Sequence, residues 1–65
     1  MTAAEFRAAE DALGGLSKRQ TADLLGCGQT AVAGYRRGES IPEPVARLIR
    51  LLARYPDLAR EVRAA

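Results

Sequence analysis

Residues 16–38 read LSKRQTADLLGCGQTAVAGYRRG and contain two short helical patterns separated by only three residues. Ser17 and Gln20 have the spacing of a capping box, which predicts a helix of about nine residues closed by Gly26. Val32 and Tyr35 then lie on one face of a second predicted helix, over residues 29–37, before the next glycine. The stretch therefore predicts two helices that meet at a tight turn.

The residues at this turn are of the types that a steep helix crossing requires. A small residue in the first helix allows close approach, a glycine relaxes the turn, and a branched apolar residue fills the crossing; Ala22, Gly26 and Val32 are such residues. Further apolar positions around the same crossing are Leu25, Cys27 and Tyr35. The pattern indicates a helix-turn-helix over residues 17–38.

The flanking sequence predicts further short helices and no strand. Thr2 and Glu5 form another capping box, and the helix that they begin is stopped at Gly14 and Gly15. Apolar residues at helical spacing predict a fourth helix to about Tyr55 and a short fifth one; these residues are Val45, Leu48, Ile49, Leu52, Leu58 and Val62. We expect an all-α fold: residues 1–65 form a single domain, a compact bundle of four to five short helices.

Composition excludes several classes of function. The chain has 65 residues, one cysteine and no histidine, so an internal disulfide is excluded and the commonest metal ligand and general base is missing. No glycine-rich phosphate loop or clustered carboxylates are present, and we expect no enzyme activity, metal or cofactor. No apolar run approaches the length of a membrane span, and the N-terminus lacks a secretory pattern, which favours the cytoplasm. Cys27 is expected to pack in the core.

The stretch LSKRQTADLLGCGQTAVAGYRRG resembles the helix-turn-helix of phage repressors of the lambda repressor and Cro (XRE) type, most closely in ADLLGCGQTAV. The similarity extends over most of residues 3–55. It implies a lambda repressor-like DNA-binding domain, in which helix 29–37 lies in the major groove while the preceding helix crosses the backbone. The function implied is that of a sequence-specific repressor that binds double-stranded DNA.

The resemblance also implies which side chains read base edges. Gln29 matches a repressor glutamine that contacts bases, and a glutamine amide can pair with N6 and N7 of adenine. With Val32 inward and 100° per residue, the outer face carries Thr30, Ala33, Gly34 and Arg37. The predicted base contacts are Gln29, Thr30, Ala33 and Gly34. Thr30 and Ala33 could instead be passive spacers, and Gly34 could be small because another helix lies near it.

Residues 17–38 hold four cations and one acid, which suits a polyanionic partner. The predicted phosphate contacts are Ser17, Lys18, Arg19, Arg36 and Arg37. The alternatives are that Ser17 serves only as a helix cap and that the cations only solubilise an exposed face. Arg47, Arg50 and Arg54 are expected on a solvated face of the fourth helix.

Apolar residues left over near the C-terminus suggest a dimer interface. They are Leu51, Tyr55, Leu58 and Val62, within a candidate dimerisation segment at residues 51–65. A homodimer would recognise an inverted-repeat operator, as an autoregulator of its own operon does. The alternative is that these residues close the monomer core. The alternative function is a protein-interaction module, for example antitoxin-like, on the same fold without its own operator; no small-molecule ligand is expected.

Overall fold

The computed structural model describes residues 1–64 and the side chains of residues 1–62. The described chain is all helical, as predicted, and contains no strand. Its five helices are α1 (Ala3–Ala12), α2 (Lys18–Leu25), α3 (Gln29–Arg37), α4 (Glu43–Arg54) and α5 (Pro56–Ala64). Among the described residues, no helix has the length and apolar character needed to cross a membrane.

Both predicted capping boxes are formed. The Thr2 hydroxyl accepts a hydrogen bond from the Glu5 amide at 3.1 Å, and the Glu5 carboxylate accepts one from the Thr2 amide at 2.8 Å. These hydrogen bonds hold the pKa of Glu5 below its ordinary value. Ser17 and Gln20 make the same reciprocal pair at 3.1 and 2.9 Å. The starts of α1 and α2 are thus fixed by local sequence.

Two glycines end the central helices in left-handed backbone. Gly26, with φ of 71°, follows α2, and Gly38, with φ of 107°, follows α3. One helix differs slightly in length from the prediction, since α2 has eight residues instead of about nine. α4 begins at Glu43, with Pro44 in its first turn. Proline is tolerated there because the first-turn N–H groups have no intrahelical acceptor.

The core joins all five helices. One cluster combines residues of α1 to α4, namely Phe6, Ala9, Ala22, Val32 and Ile49. A second cluster, nearer the C-terminus, consists of Leu16, Leu24, Leu52 and Ala59. The Phe6 ring meets Tyr35 edge to face at 5.6 Å between centroids. Cys27 is partly buried against the first cluster, as predicted, and burial raises the pKa of its thiol.

The glycines of the turn between α2 and α3 give a matched test of local geometry. We expect Gly26→Ala to lower the free energy of unfolding by about 1 kcal/mol, because an L side chain is strained at positive φ. A Cβ on Gly26 or Gly28 would meet no atom within 4 Å, so steric overlap does not contribute. Gly28 has φ of −82° and gives α3 no side-chain cap. Gly28→Ser should therefore raise stability by a few tenths of a kcal/mol. Urea unfolding followed by circular dichroism measures both, and equal stability of the two variants would contradict this account.

Candidate nucleic-acid interface

One face of α3 is packed and the opposite face is open. Val32 is fully buried between α3 and the rest of the first core cluster. Gln29, Thr30 and Arg37 are exposed, and Ala33 is half-buried beside them. The inner face of α3 is therefore packed in the core, while Thr30 and Arg37 are exposed on its outer side and Gln29 is exposed at its N-terminus.

Gly34 differs from the prediction that it lies open on this outer face. Gly34 is buried, because the side chain of Glu39 folds back over it. An ideal Cβ on Gly34 would lie 2.5 Å from Oε1 of Glu39 and 2.7 Å from its Cδ. The prediction of an open Gly34 is corrected accordingly: the missing side chain leaves room for a carboxylate of the same chain. The neighbour is a side chain that follows the helix, not another helix.

Arg36 is held inward by a network that spans α1, α2 and α3. Its guanidinium donates to both carboxylate oxygens of Glu10, at 3.0 and 2.6 Å, and to the carbonyl of Leu16 at 3.2 Å. Thr21, which is fully buried, donates to the same carboxylate at 2.5 Å. The Glu10 side chain is only 5% exposed and that of Arg36 is 29% exposed. Hydrogen bonding to Glu10 raises the pKa of Arg36.

This network has a structural role that was not predicted from the sequence, where Arg36 is placed among the phosphate contacts. Arg7 extends the network by donating to the carbonyl of Arg36 at 2.8 Å. The positions of Arg36 and Glu10 on their helices already indicated that the two side chains could meet. Arg36 lies about 40° from Val32 around α3, and Glu10 follows Phe6 by one helical turn, so both point toward the core side of their helices.

Lys18 and Arg19 lie at the start of α2 with their side chains exposed. Neither makes a salt bridge with another described residue. The hydrogen bond from Arg36 to Leu16 brings the beginning of α2 next to the C-terminal part of α3. The hydroxyl of Ser17 already accepts the Gln20 amide, so its first role is that of a cap. The basic start of α2 therefore lies near the C-terminal part of α3.

Arg37 carries its own counter-ion. Its guanidinium lies 2.8 Å from the carboxylate of Glu39, and both side chains are more than half exposed, at 65% and 62%. Arg36 and Arg37 are therefore both paired with acids of the chain. On α4, Arg47 pairs with Glu43 at 3.2 Å.

A separate apolar patch covers the outer side of α4 and α5. It consists of Leu51, Tyr55, Leu58 and Val62, which are 48%, 51%, 39% and 42% exposed. Within the described part of the chain these are all of the large hydrophobic residues that are exposed. They do not close the monomer core, which was one of the two alternatives; Leu52 and Ala59 fill that place instead. Ala65, the last residue of the candidate dimerisation segment, lies outside the described residues.

No protein-family model matches this chain, and comparison with curated proteins and with solved structures finds no significant match.

Proposed function

We propose that this protein is a sequence-specific repressor that binds double-stranded DNA in the cytoplasm. In this proposal α2 and α3 form a helix-turn-helix of the lambda repressor-like type, and α3 enters the major groove. Two copies of the chain bind an inverted-repeat operator, block a promoter by occupying it, and regulate their own operon. Each part of the proposal has a different physical support.

The observation that carries the proposal is the division of α3 into a packed face and an open polar face. Thr30 and Arg37 are exposed opposite fully buried Val32, and Gln29 is exposed at the first position of the helix. A rigid helix that presents polar side chains beyond a short turn suits the major groove, which admits one α-helix. Gln29, at the N-terminus, is the proposed reader of an adenine. Thr30 and Ala33 would lie beside it against base edges.

Phosphate contacts are assigned to exposed basic residues of α2 and α3. Lys18 and Arg19 at the start of α2, together with Arg37 at the end of α3, are exposed. Such cations release counterions from DNA and set affinity without reading sequence. Arg36 is better suited to hold α3 against α1 and α2, because its guanidinium is already bound by Glu10 and Leu16.

A second copy of this chain is the proposed occupant of the apolar patch on α4 and α5. A domain of 65 residues has little core, and association would remove its four exposed large hydrophobic residues from water. The surroundings of the patch also differ in charge. Exposed Arg50 and Arg54 border it on α4, whereas exposed Glu61 borders it on α5, where Asp57 is already paired with Arg60. A two-fold axis that places α4 of one copy beside α5 of the other brings these opposite charges together.

Selection of random duplex DNA on the purified protein tests the proposal. The recovered sequence is then titrated at two salt concentrations against a scrambled duplex. We expect an inverted repeat with half-site centres about 34–36 Å apart, bound far more tightly than scrambled DNA. No enrichment, with weak binding at both salt concentrations, would overturn the proposal.

Two substitutions distinguish the proposed base-reading residue, Gln29, from the proposed phosphate contact, Arg37. Gln29→Ala should weaken operator binding by about 1–3 kcal/mol and relax the preference at one base pair. Arg37→Ala should weaken binding to operator and scrambled duplexes alike and flatten the salt dependence. Arg47→Ala is the matched control, because Arg47 is also an exposed arginine in an exposed ion pair but lies on α4. The roles are wrongly assigned if Gln29→Ala and Arg37→Ala change binding to scrambled DNA equally.

One observation favours a second candidate function, a protein-interaction module on the same fold. Arg36 and Arg37 are both paired with acids, which lowers the positive potential near α3. An open face with little net charge suits a protein partner better than a polyanion. The selection experiment distinguishes the two functions, because an interaction module would enrich no DNA sequence.

A further inference from the structure

We propose that Glu39 is a built-in competitor of DNA, whose carboxylate occupies the place on α3 that a backbone phosphate takes in the complex. This inference rests on the proposed function and deepens it by naming a residue that limits DNA affinity. It assigns a function to an acid that stands at the proposed interface and has no part in the core.

The position of Glu39 is fixed by contacts at both ends of the residue. Its amide donates to the carbonyl of Gly34 at 3.0 Å, as part of the turn that ends α3 at Gly38. Its carboxylate lies 2.8 Å from the Arg37 guanidinium. Between these contacts the side chain covers Gly34, where even one methyl group would lie 2.5 Å from Oε1. The backbone anchor therefore keeps the carboxylate within reach of α3.

Arg37 and the surface over Gly34 thus form a binding site for an anion on the exposed side of α3. A carboxylate and a phosphate present similar oxygen acceptors to an arginine fork, so either can occupy it. When DNA approaches, Arg37 must exchange Glu39 for a phosphate. The ion pair is more than half exposed and therefore weak, so the exchange is possible. This competition lowers the affinity of the protein for every DNA sequence whose backbone phosphate Arg37 binds.

Glu39→Gln tests the inference, because it removes the charge and keeps nearly the same shape. We expect its affinity for the selected operator and for scrambled DNA to rise by about three- to tenfold at low salt. The slope of log affinity against log salt should become steeper by up to about one unit. Glu43→Gln is the matched control: Glu43 is an exposed acid paired with an arginine on α4, and its substitution changes the net charge equally.

A double-mutant cycle tests whether Glu39 and a DNA phosphate compete for the Arg37 guanidinium. In the Arg37→Ala background, Glu39→Gln should give less than a twofold gain, because there is no guanidinium left to release. If the wild-type protein binds DNA and the two glutamine variants gain equally, or if the gain persists without Arg37, the inference is wrong and the proposed function stands. If neither the wild-type protein nor Glu39→Gln binds any duplex, the proposed function fails and the inference fails with it.

Discussion

Arg36→Met is expected to lower the free energy of unfolding by about 3 kcal/mol, the low end for removal of one partner from a buried ion pair. The substitution would leave the Glu10 carboxylate, 5% exposed, with Thr21 as its remaining side-chain donor. The low end applies because Arg36 is itself 29% exposed, so water can replace part of the lost interaction. A domain of this size has roughly 3–10 kcal/mol of stability, so the loss would remove about a third of it or more. Urea titration followed by circular dichroism measures the loss.

Two further variants make this prediction specific to the buried pair. Arg37→Met breaks the exposed pair with Glu39 and should cost less than about 1 kcal/mol. In the triple variant Glu10→Met/Thr21→Val/Arg36→Met the network is replaced by apolar side chains, and most of the lost stability should return because no buried polar side chain is left unpaired. Equal losses in Arg36→Met and Arg37→Met would show that the network of Glu10 does not stabilise the fold.

The helices were predictable from sequence because local signals determine where they begin and end. Capping boxes at Thr2 and Ser17 and the glycines after α2 and α3 act within a few residues, so no tertiary information is needed to find them. The start of α4 was less well defined, because Pro42 and Pro44 are both compatible with a loop or with a first helical turn. The sequence therefore predicted the presence of each helix more clearly than the residue at which α4 begins.

The candidate site was predictable only where a residue's surroundings follow from helical periodicity. The exposure of Thr30 and Arg37 follows from placing Val32 inward, whereas Gln29 lies about 60° from Val32 and is exposed as the first residue of the helix. The roles of Arg36 and Gly34 do not, because they depend on acids that are distant in sequence or beyond the helix. Glu10 reaches Arg36 only after α1 packs on α3, and Glu39 reaches Gly34 only after the chain turns at Gly38. A formal count of charges over residues 17–38 therefore overstates the positive potential of the proposed interface.

Leu51→Glu/Leu58→Glu is expected to weaken binding to the inverted-repeat operator by about 100-fold or more. In the proposed dimer, occupation of one half-site holds the second reading helix near the other half-site, and such linkage contributes about 10²–10⁴ in affinity. Four added carboxylates in a two-fold interface would repel one another and prevent association. Both leucines are exposed, at 48% and 39%, so the monomer fold should be retained. Sedimentation equilibrium gives the oligomeric state, and fluorescence anisotropy gives the affinity for operator and half-site duplexes.

The half-site duplex and a charge-matched variant separate loss of dimerisation from added negative charge. Ala4→Glu/Ala8→Glu adds the same two charges at exposed positions of α1, outside the apolar patch. The two variants should bind a single half-site within about threefold of each other, since each adds the same two charges to the domain. Only the leucine variant should be monomeric and lose the advantage of the full operator over the half-site. A leucine variant that remains dimeric would exclude the α4–α5 patch as the interface, whereas a monomeric variant that keeps full operator affinity would mean that each copy reads its half-site independently.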